Sequence, residues 1–140
     1  MKRALACLFL AAALVVTGGA VVAHHSFAAQ YDRNKPVTLT GAVTRIEWMN
    51  PHVYFYMDVR EASGTTVNWA IEGGAPNTLY RAGWRRDSLK IGDQLTVEGF
   101  LAHDGTRLAN MRTATLADGR QVLGGQNDGG PVPKLKTPGR

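Results

Sequence analysis

Four histidines are the residues of this chain best suited to chemistry, and their settings differ. His24 and His25 follow a run of small and apolar residues ending in Val21-Val22-Ala23, whereas His52 follows the stiff step Asn50-Pro51. Cutting after Ala23 makes His24 the first residue of the mature chain, where its amine and one imidazole nitrogen can chelate a metal ion in a six-membered ring. A second imidazole, from His25 or His52, completes three nitrogen donors. That set suits copper(II) and, less selectively, nickel or zinc. Because cleavage creates the amine, metal is expected to bind only after export. Without a metal, His24 and His25 read as a frayed terminus and His52 as a hydrogen-bonded residue at the rim of the fold. His103, in His103-Asp104-Gly105, reads as a solvated turn residue.

Other constellations are weaker. Asp32, Glu47 and Glu72 are available as acid–base partners for a histidine, but no spacing requires the pairing. Glu47 alternates with Ile46 and Trp48 and is expected to be exposed. Ser26 lies beside two histidines yet has no strand-to-helix elbow and no identifiable oxyanion hole. No catalytic residue is assigned, and the chain reads as a binding protein rather than an enzyme. A rival reading needs no metal: Trp48, Tyr54, Tyr56 and Arg85 would form an aromatic and arginine surface for a protein or envelope partner. Trp69 and Trp84 are assigned to the core.

The charge balance narrows the partners. The 140 residues hold 16 Lys+Arg against 11 Asp+Glu, but Lys2 and Arg3 head an apolar leader, and Lys134, Lys136 and Arg140 fall in a Gly/Pro-rich end. Residues 24–123 carry a net charge of only +1. A nucleic-acid module would keep its excess in the folded part, so nucleic acid is not an expected partner. Attraction to membranes or polyanions is expected of residues 124–140.

Met1-Lys2-Arg3, the apolar run 4–16 and the small residues up to Ala23 have the form of a secretory leader. An uncleaved anchor over residues 4–23 would be just long enough to span a bilayer, but Gly18-Gly19 interrupts it. The expected division is a cleaved signal peptide (1–23), a folded domain (24–123) and a disordered tail (124–140), giving a periplasmic or secreted protein with no stable membrane insertion. Cys7, the single cysteine, leaves with the leader. The mature chain then has no disulfide and no thiolate site, and it must be stabilised by its own core, which is feasible at about 100 residues.

The elements that would hold the histidines are strands. Val37, Leu39, Gly41 and Val43 alternate with polar or small residues, and Ile46 and Trp48 continue the apolar set one step out of phase. Such a slip predicts a bulge or a sharp coil, cheaper to make near Gly41. Val53, Phe55, Met57 and Val59 line one face of a second strand, with His52, Tyr54, Tyr56 and Asp58 on the other. Val67, Trp69 and Ile71 mark a third. A short helix is expected over 77–82, closed by Gly83, with a further helical turn over 86–90. Strands over 95–101 and 107–116, joined by a tight turn at Asp104-Gly105, complete the set, with a short final pairing at 121–123. The fold class is all-β with a small helical insert: an OB-like five-stranded antiparallel barrel with a short helix between strands 3 and 4. An open sheet or small sandwich is the runner-up.

His24-His25-Ser26-Phe27, Glu47-Trp48-Met49-Asn50-Pro51-His52, Gly83-Trp84, Val97-Glu98-Gly99 and Leu116-Ala117-Asp118-Gly119-Arg120 together resemble a family of small exported bacterial proteins, a domain of unknown function. The resemblance spans nearly the whole mature chain and implies export and an OB-like fold. It carries no reaction with it.

Overall fold

The computed structural model describes residues 27–123. His24, His25, the leader and residues 124–140 lie outside the described residues, as do the expectations placed on them. The elements run α1 (Phe27–Gln30), β1 (Tyr31–Glu47), β2 (Tyr54–Arg60), β3 (Thr66–Glu72), α2 (Pro76–Arg81), β4 (Gln94–Ala102), β5 (Leu108–Leu116) and β6 (Gln121–Leu123). The protein is predominantly β, with a short helix between β3 and β4 as the sequence predicts.

The strand order is β3-β2-β1-β4-β5-β6, and β3 also pairs with β5. That extra pairing is parallel, while the others are antiparallel. The expected all-antiparallel arrangement is therefore corrected to a mixed one, for a topological reason. The pairings form the cycle β1-β2-β3-β5-β4-β1, and direction cannot alternate all the way around an odd cycle. The mismatch falls at β3–β5, where Ala70, Ile71 and Glu72 lie beside Leu108, Ala109 and Asn110.

β1 serves two neighbours. Its residues Pro36–Ala42 pair with β4 and Gly41–Glu47 with β2, with a register shift between Val43 and Arg45 where the apolar phase slips. Gly41 is required for closeness: a Cβ there would lie 2.1 Å from the Asp58 carbonyl oxygen. Gly99 is in the same position against the Asn110 carbonyl oxygen, at 2.0 Å.

Alternation turns Val53, Phe55, Met57 and Val59 of the second strand region inward, where they meet Ile71, Val97 and Met111 in the main core. Pro76 occupies the first turn of α2, and a Schellman closure ends the helix: Trp84 N–H donates to the Leu79 carbonyl at 2.9 Å, with Gly83 at φ 97°. Leu79 and Trp84 are both buried, so the cap also packs the core. The helical turn expected over 86–90 is absent. Ser88 N–H donates to the Arg85 carbonyl and Ser88 Oγ accepts from Arg85 N–H, forming a tight turn instead. The β4–β5 connection is longer than a two-residue turn, spanning 103–107, and Asp104 Oδ1 braces it by accepting from both the amide and hydroxyl of Thr106.

A second, smaller apolar cluster lies on the opposite face of the sheet. Phe27, Tyr31 and Ala102 are buried there, with Phe100 and Leu108 packed against them. The start of the described chain is thus laid across the outside of β4 and β5.

Replacing Gly41 by Ala is expected to destabilise the protein by about 2–3 kcal/mol, because a backbone carbonyl rather than a flexible side chain must move. Gly105, at φ 75° with nothing near its missing Cβ, should lose only about 1–2 kcal/mol on the same change. Urea unfolding of the two variants checks the difference.

Candidate functional site

Period-two alternation carries His52, Tyr54 and Glu72 to the outer face, since Val53, Phe55 and Ile71 point inward. Register then gathers them. Tyr54 lies opposite Glu72 across β2–β3, and Glu72 lies opposite Asn110 across β3–β5. An outward glutamate would ordinarily be solvated, yet Glu72 is only 3% exposed. The segment from α1 into β1 covers it. Phe27 packs on the Tyr31 ring at 5.5 Å between centroids, and the Tyr31 hydroxyl donates to Glu72 Oε2.

The other carboxylate oxygen, Glu72 Oε1, is 2.5 Å from His52 Nδ1. A carboxylate accepts, so Nδ1 donates, and in the neutral ring Nε2 is the lone-pair nitrogen. Tyr54, opposite Glu72 across β2–β3, completes the cluster. His52 keeps a side-chain exposure of 24%, so the cluster grades from a buried acid to an imidazole that reaches water.

Burial first, and then the hydrogen bond and charge of Glu72, push the Tyr31 hydroxyl far above the ordinary tyrosine range. Tyr54 is raised for the same leading reason, with the Glu72 charge next. Both phenols therefore stay protonated across the physiological range, Tyr31 as a donor to the carboxylate. An open pocket of about 360 Å³, lined by Ala29, Gln30, Tyr54, His103 and Asp104, adjoins this cluster. His103 is half exposed, with Nδ1 3.9 Å from Asp32 Oδ2, in keeping with a turn residue.

The four residues assigned to a partner surface do not share one. Tyr54 belongs to the Glu72 cluster. Tyr56 donates to Glu47 at 3.1 Å and lies under the Arg45 guanidinium, which itself pairs with Glu47 at 2.8 Å. Glu47 is consequently half-buried in a trio rather than exposed as expected. Trp48 and Arg85 do meet, each against the Tyr80 ring. Trp84 is in the core as expected, and Trp69 is packed partly against it. The Nε1 of Trp48 and that of Trp69 are buried without a hydrogen-bond partner among the described residues, so neither indole N–H is offered to a ligand.

Sequence reasoning selected His52 and Tyr54 but assigned them to different sites, named Glu72 without an anchor, and passed over Tyr31. The available signals were Glu72 ending an alternating strand immediately before Gly73-Gly74, and Phe27 and Tyr31 at helical spacing where α1 runs into β1. Among the described residues no three of His, Cys, Asp and Glu are grouped so as to hold a metal by themselves. No described helix is long and apolar enough to cross a membrane.

The sequence profile of a family of unknown function (DUF6152) matches residues 12–111. The chain belongs to that family. The matched segment contains His24, His25 and every member of the His52–Glu72–Tyr31–Tyr54 cluster. Compared with proteins of curated function, the chain has no significant match.

Replacing Tyr31 by Phe leaves a buried carboxylate one donor short and should lower stability by about 1–3 kcal/mol at neutral pH. The pH dependence has a definite sign. Because the folded-state pKa is raised, the stabilisation is intact below the unfolded value, about 10, and is lost as pH rises from there towards the folded value. Urea unfolding at increasing alkaline pH should therefore show a steep loss of stability. In the Tyr31→Phe protein the slope should be shallower by about one proton, or about 1.4 kcal/mol per pH unit.

Proposed function

We propose that this is a periplasmic or secreted metal-binding protein, built on an OB-like five-stranded barrel and freed from its signal peptide after Ala23. Copper is the preferred metal, with nickel or zinc less suited. The ligands are the amine and imidazole of His24 together with an imidazole from His52 or His25. The OB-like reading is supported by the pairing cycle of β1 to β5 and by α2 between β3 and β4.

The contact between His52 Nδ1 and the buried Glu72 carboxylate carries the metal reading. Histidines that ligate metals characteristically donate their second ring nitrogen to a carboxylate or carbonyl, which fixes the tautomer, orients the ring and raises ligand basicity. His52 has that partner, and the partner is itself held by Tyr31. Reach also supports the assignment. Phe27 is packed on Tyr31, whose hydroxyl shares a carboxylate with His52, and only Ser26 separates Phe27 from His25. His24 is three residues from Phe27 and His25 two, spans of at most about 11 and about 7 Å. The amine exists only after leader removal, so loading follows export. A metal-free docking role is the second reading, favoured by the Tyr80 ring that Trp48 and Arg85 share at the surface.

The test is copper titration of the exported protein, with its N-terminus sequenced and binding followed by EPR. Blocking the amine or replacing His52 by Ala should change the nitrogen hyperfine pattern and weaken binding. Glu72→Gln should keep the ligand set yet lower affinity by about 10–100-fold. Copper binding indifferent both to a blocked N-terminus and to loss of His52 would falsify the site.

A further inference from the structure

The net charge of +1 over residues 24–123 conceals a local imbalance. Between Gly73 and Asp93 the chain carries Arg81, Arg85, Arg86 and Lys90 against Asp87 and Asp93, a net +2, so the rest of residues 24–123 is net negative. Asp93 is engaged locally, its carboxylate accepting from the Lys90 amide at 2.8 Å. Arg81, Arg85 and Arg86 are exposed, and none forms an ion pair among the described residues. Arg45, Arg107 and Arg120, by contrast, each have a carboxylate.

Packing joins Arg85 and Arg86 to exposed apolar surface. Trp48 is the hub: its ring meets Tyr80 edge-on at 5.6 Å and Trp84 at 6.3 Å, and its carbonyl oxygen lies 3.5 Å from an Arg86 guanidinium nitrogen. Arg85 lies over the outer side of the same Tyr80 ring, 5.5 Å from its centroid, and donates to the Trp84 carbonyl at 2.7 Å. Met49, next to Trp48, is 57% exposed and Tyr80 is 42% exposed, two of the three large apolar side chains left in water among the described residues. Trp84, at the Schellman closure of α2, is buried in the core and packs on Trp48.

We propose that the face carrying Met49, Tyr80, Arg85 and Arg86 docks the folded protein onto an anionic phospholipid surface. The charge is complementary, and arginine forks match phosphate oxygens. Tyrosine is favoured at headgroup depth, and basic side chains near an anionic leaflet gain further attraction. A small soluble anion would use the arginines alone and leave Met49 and Tyr80 in water; a bilayer surface uses both. This docking is independent of metal binding and of the cations in residues 124–140.

Flotation of the full mature chain with vesicles tests it at low salt, using equimolar phosphatidylglycerol and phosphatidylcholine against phosphatidylcholine alone. The wild-type chain should bind the anionic vesicles selectively. Arg85→Glu with Arg86→Glu should reduce partitioning by about thirtyfold or more. Met49→Ser, exposed and outside any hydrogen-bonded cluster, should reduce it several-fold and serves if the double variant does not fold by circular dichroism. Lys134→Gln with Lys136→Gln should have the smaller effect. The proposal is overturned by no binding to anionic vesicles, by equal binding to neutral ones, by wild-type partitioning of folded patch variants, by binding that depends on the tail lysines alone, or by displacement with soluble glycerophosphate or an acidic peptide.

Discussion

A carboxylate taken out of water must be repaid by hydrogen-bond donors, or it costs several kcal/mol. Glu72 meets that requirement with side chains from two places, Tyr31 at the start of β1 and His52 in the β1–β2 connection, while Tyr54 lies opposite it across β2–β3. Each donor is distant in sequence from the acid. The carboxylate therefore fixes relative positions that secondary structure alone leaves open. It ties the incoming chain to the sheet and holds the His52 ring in one orientation. Phe27 and Tyr31 keep water from it, so the covering segment and the cluster beneath it depend on each other.

The strand geometry makes that meeting possible. β1 is shared between β2 and β4, and Gly41 and Gly99 mark the points where backbones come too close for any side chain. The bulge after Val43 turns the second half of β1 towards β2. The odd cycle of pairings then brings β5 alongside β3 in parallel, which sets Asn110 against Glu72 and closes the surface on which the cluster lies. The β3–β4 connection leaves from beside Glu72 through Gly73-Gly74. One strand end thus leads to both features of interest, the imidazole–carboxylate pair and the arginine face around Tyr80.

Near neutrality overall is compatible with these two differently charged regions. The cluster gathers one acid with neutral or weakly basic donors, while the α2 region collects arginines that form no ion pair among the described residues around the Trp48 and Tyr80 rings. A metal ion and an anionic surface are consequently not competitors for the same residues.

Elements were legible where local rules suffice. Alternation gave β2 and β3 their inward rows, the slip between Val43 and Ile46 marked the bulge, and Gly83 marked the end of α2. Composition also located the excess charge of the whole chain in its two ends. Other features were invisible to those rules because they are set by contacts between distant residues. Outward placement of Glu72 implied solvent until Phe27 and Tyr31 covered it, and Glu47 was expected to be exposed until Tyr56 and Arg45 closed on it. The same holds for the parallel β3–β5 seam and for Arg85 and Arg86 converging on the Trp48–Tyr80 pair. By itself the sequence determined which side chains leave each strand on which face. The tertiary structure decided which of those faces lose water, and with that loss a surface glutamate became the buried anchor of a histidine.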